Sequence, residues 1–86
     1  VPRLSAFHGI VIYMYIRDHG VPHVHAWHGG DRAVVDASTG LVLAGSLRRR
    51  QAALVARWVD LHRTELLDAW QRASEGESPG TIEPLP

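Results

Sequence analysis

Aliphatic and other side chains alternate most regularly between Gly9 and Arg17, where Ile10, Ile12, Met14 and Ile16 take one parity and Val11, Tyr13, Tyr15 and Arg17 the other. A period of two is that of a β-strand with one apolar face, so the pattern predicts a strand over 9–17. Asp18-His19-Gly20-Val21-Pro22 follows with turn chemistry, glycine relieving the steric limit on φ and proline fixing it. A second strand is predicted from His23. Gly29-Gly30 then separates His23–His28 from Asp31–Asp36, as the two-residue loop of a primed hairpin would. Ser38-Thr39-Gly40 predicts a further turn and Leu41–Ala44 a short last strand.

Beyond Gly45-Ser46 the period lengthens. Val55, Trp58, Val59, His62, Leu66, Trp70 and Ala73 recur at helical spacing, with Ser46 placed to cap the start. A helix over 47–74 is long for so small a domain, and a break near His62-Arg63-Thr64, with Thr64 capping a second helix, is the alternative. The expected fold is therefore α+β: a three- to four-stranded antiparallel meander followed by one long or two consecutive helices packed on one face. Residues 1–75 are expected to form a single domain. Residues 76–86, rich in Gly and Pro, read as an extended or disordered tail whose only means of docking are Ile82 and Leu85.

The 86 residues include no cysteine, which excludes disulfides, thiol nucleophiles and cysteine zinc sites and fits a reducing, cytoplasmic setting. Any metal ligand must be His, Asp or Glu. No apolar run approaches the ~20 residues of a membrane span, and no membrane partner is expected. Net charge is zero, but residues 1–50 carry six Arg against three Asp, and the remainder three Arg against six acids. Such a dipolar chain can present a local basic face. Arg17 and Arg32, with Arg49 and Arg50 in the predicted first helical turn, are the candidates for binding an anion, RNA or DNA.

Pairing across Gly29-Gly30 sets His28 opposite Asp31, Trp27 opposite Arg32, His25 opposite Val34 and His23 opposite Asp36. His23, His25 and Trp27 share one face with Asp36, Val34 and Arg32, and Tyr13 and Tyr15 can join it; His28 points to the other. Two histidines at i and i+2 stand about 7 Å apart at Cα, near enough to converge on one cation. Asp36 is expected as third ligand and His19 as a recruit from the turn, a set suited to zinc, nickel, iron or manganese. The same residues admit acid-base work, with His23 or His25 moving a proton and Asp18 or Asp36 orienting the ring, as in metal-free RNA cleavage. They also admit a hydrogen-bonded polar sheet face and no chemistry. His62, on the apolar helix stripe, reads as a satisfied core histidine.

Phe7 to Tyr15 (F-H-G-I-x-I-x-M-Y), Arg17 to Ala26 (R-D-H-x-x-P-H-x-H-A), Gly45-Ser46-Leu47 and Trp58 to Trp70 (W-x-x-L-H-R-x-E-L-L-x-x-W) resemble the bacterial family called domain of unknown function 4160. His19, His23 and His25 fall on its motif positions. His28 stands where its members tend to have Tyr, and Arg48 where they tend to have Pro, which sets both apart from any family-wide role. Members are often encoded beside another short protein, so the resemblance implies one half of a toxin-antitoxin-like pair: a binding or regulatory module whose partner is the neighbouring gene product. An exposed sheet edge also allows a homodimer.

Overall fold

The computed structural model describes residues 2–86, which form strands β1 (Arg3–Phe7), β2 (Ile10–Tyr13), β3 (His23–His28), β4 (Asp31–Asp36) and β5 (Val42–Gly45), then helices α1 (Arg49–Leu61) and α2 (Arg63–Ser74). Each strand pairs antiparallel with the next, so sheet order follows chain order. The fold is the expected α+β meander followed by two consecutive helices, with five strands rather than three or four. The additional strand is β1. His8 and Gly9, both at positive φ (49° and 78°), form a two-residue loop that pairs Phe7 with Ile10. A histidine at the first loop position hid that turn, since glycine, asparagine or aspartate usually stands there.

The strand expected over 9–17 ends early. Met14 still buries its side chain and donates its N–H to the Pro2 carbonyl (3.1 Å), but Arg17 turns to φ 59° and donates to the carbonyl of Ala73 in α2 (2.9 Å). That detour takes Ile16 out of the apolar face and leaves it exposed. At the other end, Gly45 adopts φ 71° so close to β4 that a Cβ would strike the Arg32 carbonyl oxygen, which accepts the Ser46 N–H at 3.0 Å. The chain therefore stays tied to β4, and α1 starts at Arg49 behind an extended Arg48 that makes no side-chain cap. Ser46 is not the cap. Neither is Thr64: the break falls at His62 (φ −119°, ψ 24°), one residue before α2 begins.

Parity sorts the sheet as the alternation requires. Ile10, Ile12, Val24, Ala26, Ala33 and Val35 are buried beneath Val55, Trp58 and Val59 of α1 and Leu66, Ala69 and Ala73 of α2. The tail completes this core. Its Ile82 and Leu85 are buried, the Ile82 N–H donates to the Leu4 carbonyl (2.8 Å), and Trp58 donates its Nε1–H to the Glu83 carbonyl (2.8 Å). Residues 76–86 are thus extended and docked, in part along β1. β5, at the opposite edge of the sheet, is exposed along its whole length.

Candidate functional site

The loop between β2 and β3 returns Asp18 to the first residues of β3. Two features turn it: the left-handed Arg17, and Gly20 at φ 90°. Oδ1 of Asp18 accepts the His19 N–H at 2.8 Å, which leaves Oδ2 aimed at the two histidines of β3. It lies 2.9 Å from Nε2 of His23 and 3.5 Å from Nε2 of His25. One ligand atom from each of the three residues falls within 4.8 Å of the other two, and all three side chains are partly buried.

Both rings are held. His23 donates Nδ1–H to the Val21 carbonyl at 2.7 Å and packs on Trp70 of α2, ring centroids 4.9 Å apart. Tyr15 packs on His25 at 4.3 Å, and the two imidazoles meet edge to face at 5.2 Å. A carbonyl oxygen only accepts, so Nδ1 of His23 must carry a proton and Nε2 of the neutral ring holds a lone pair. That lone pair faces a carboxylate oxygen, also an acceptor. The contact closes only with a second proton on His23 or a cation shared by the two groups.

Burial and the neighbouring groups shift the titration of Asp18 and His25. Burial raises the Asp18 pKa, but the His19 N–H, the charge of His23 and hydrogen bonds from His25 and His23 together hold it below the usual carboxylate value. Burial chiefly lowers His25, aided by the charge of His23 and opposed by Asp18, so its neutral form is favoured.

The register across Gly29-Gly30 is the one expected, His28 to Asp31, Trp27 to Arg32, His25 to Val34 and His23 to Asp36. Asp36 nevertheless does not join the histidines. Its Oδ1 accepts the N–H groups of Ser38 (2.7 Å) and Thr39 (2.9 Å), and those two bonds hold its pKa down. His19 contributes its backbone N–H to Asp18 and keeps an exposed side chain outside the cluster. Of the expected ligand set, His23 and His25 come together, and Asp18 takes the third place. His62, expected as a satisfied core histidine, is half-buried at the rim of the core and is satisfied by an exposed residue, with Nδ1 2.6 Å from Oε1 of Glu65.

The arginines scatter. Arg17 lays its guanidinium against Gly76, and Arg49 and Arg50 are exposed at the start of α1, away from the histidines in the chain's path. Arg32 stacks on Trp27, its Cζ 4.1 Å from the ring centroid. Both line a groove of about 230 Å³ on the open sheet face together with Tyr15, His25, Val34 and Ala44. His25 is common to groove and cluster. Sequence reasoning gave Asp18 an orienting role only and did not single out Trp70; the spacing Asp18-x4-His23-x-His25 was the available signal for the first.

A family model described as a domain of unknown function, DUF4160, matches residues 9–71, well over half the chain. The chain belongs to that family. The matched span runs from before β2 into α2 and contains Asp18, His23, His25 and the groove, while β1 and the docked tail lie outside it. No curated protein and no solved structure matches the chain. Among the described residues no helix is long and apolar enough to cross a membrane.

Proposed function

We propose that this family member is a metal-binding protein in which Oδ2 of Asp18 and Nε2 of His23 and His25 hold one divalent cation. The observation that carries the reading is the convergence of Asp18 Oδ2 with Nε2 of His23 and His25, one ligand atom of each residue lying within 4.8 Å of the other two, while the Val21 carbonyl engages the other nitrogen of the His23 ring. Donors at about 2.0–2.2 Å from a metal stand roughly 2.9–3.4 Å from one another at octahedral or tetrahedral angles. The two separations from Asp18, 2.9 and 3.5 Å, are near that spacing, and ligand nitrogens of the two histidines lie within 4.8 Å of each other. A ligating histidine ordinarily donates its other N–H to a carbonyl or carboxylate, which is the role Val21 fills. Two histidines and one carboxylate would leave coordination positions open, as metal-assisted hydrolysis requires, and His25 also lines the groove.

Titration of untagged protein with zinc, nickel, manganese and ferrous ion tests this. One equivalent of at least one metal should bind and raise the melting temperature. Absence of binding by all four sinks the reading and leaves a protonated His23 on Asp18, the acid-base alternative.

The paired-module reading has its own support in β5. Leu41, Val42 and Leu43 are exposed on or beside an edge strand that carries no charge, whereas β1 is met by the tail. Natural sheets seldom leave such an edge open, and a strand from the protein encoded next door would cover it. Co-expression with that neighbour should give a complex that Leu43→Lys disrupts; separate elution of the two wild-type proteins rejects it.

A further inference from the structure

We infer that the groove beside the metal cluster takes a small phosphate monoester or unesterified phosphonate with a flat apolar body, its anionic head attracted by the cation and by Arg32. The inference rests on the metal reading above and adds the class of ligand. Among the described residues Arg32 makes no ion pair and its side chain no hydrogen bond; its Cζ lies 4.1 Å from the Trp27 ring centroid, a cation-π contact that restrains an otherwise exposed side chain. A stacked guanidinium keeps its N–H edge available, and that edge matches two oxygens of a phosphoryl group. Tyr13 packs on the same indole, ring centroids 4.7 Å apart, which fixes Trp27 in turn.

The rest of the groove sets the body of the ligand. Tyr15, Trp27, Val34 and Ala44 present aromatic and aliphatic surface, and His25 joins this surface to the cluster. At about 230 Å³ the space falls below the roughly 300–1,000 Å³ of drug-sized pockets, so it suits a single small ligand. A dianionic tetrahedral head is also attracted by both the cation and Arg32, as a neutral ligand is not. A free metabolite or the terminal phosphate of an oligonucleotide would offer that same head.

Phenylphosphonate, which cannot be hydrolysed at its P–C bond, is the probe. Zinc is titrated first into wild type, Arg32→Met and Ala44→Phe, and phenylphosphonate then into each zinc-loaded protein. Wild type should bind one equivalent. Arg32→Met should weaken the probe by at least about tenfold, as loss of a charge-assisted pair does, and Ala44→Phe should block it by filling the groove, while both retain zinc. Inorganic phosphate should bind more weakly than phenylphosphonate, and a 5′-phosphorylated dinucleotide run alongside separates a free monoester from a nucleic-acid end by which binds more tightly. Where zinc does not bind, the titration is run with whichever of nickel, manganese or ferrous ion does; if none of the four binds, the metal reading fails and this one with it. If a metal binds but the probe does not saturate, or binds both variants as it does wild type, the ligand inference alone is overturned.

Discussion

Nε2 of His23 and Oδ2 of Asp18 face each other at 2.9 Å although, with Nδ1 donating to Val21, neither atom has a proton to offer when the ring is neutral and the acid ionised. A pair of acceptors at that distance repels unless something positive stands with them. A local loop geometry thereby becomes a statement about cations.

The carboxylate that matters is Asp18 and not Asp36. Asp18→Asn should reduce zinc affinity by well over the roughly 10–100-fold that loss of an outer-shell partner produces. Asp36→Asn should leave zinc affinity within about twofold, since its oxygen is engaged by Ser38 and Thr39. Isothermal titration of both variants decides the assignment, and the reverse ranking would restore Asp36 as the ligand.

The tautomer of His23 gives a spectroscopic check. Long-range nitrogen-proton correlation should show His23 with Nδ1 protonated before and after zinc is added, with zinc perturbing Nε2 alone. Loss of the Nδ1 proton on metal addition would contradict the Val21 hydrogen bond.

Acid should destabilise the metal-free protein in two stages. His25 has a folded-state pKa below the ordinary histidine value of 6.5, so the unfolded chain takes up its proton first; stability falls as pH drops below about 6.5 and through the lower folded value. Asp18 and Asp36, both lowered from 3.8, repeat this at more acid pH. Melting temperatures from pH 8 to 3 should show both declines, and His25→Gln should flatten the upper one. Asp36→Ala should cost about 1–2 kcal/mol at neutral pH by releasing the two turn N–H groups.

The tail belongs to the fold. Ile82→Ala should cost about 2 kcal/mol, roughly 10 °C in melting temperature for a chain of this size, and truncation after Ser78 should cost more because it uncovers Trp58 and Leu4. Tryptophan fluorescence of the truncated protein should shift to the red. An unchanged melting temperature would make the docking incidental.

The sequence by itself determined the hairpin. Gly29-Gly30 permits one short loop, and strand parity then decides that His23 and His25 share a face and His28 does not. Helical spacing likewise determined which side of α1 and α2 turns inward. These are local rules, each settled within a few residues of chain. Tertiary structure decided the third member of the site. Asp36 stands opposite His23 in register, but the Ser38 and Thr39 N–H groups lie nearer to its carboxylate and claim it. Asp18 reaches the histidines only because Arg17 leaves the sheet for the Ala73 carbonyl on α2, a contact between residues 56 positions apart that no local pattern encodes. The same long-range packing set Trp70 against His23 and drew the tail over Trp58. Strand pairing follows from neighbours along the chain; which carboxylate is available to share a cation follows from what the folded chain leaves unclaimed.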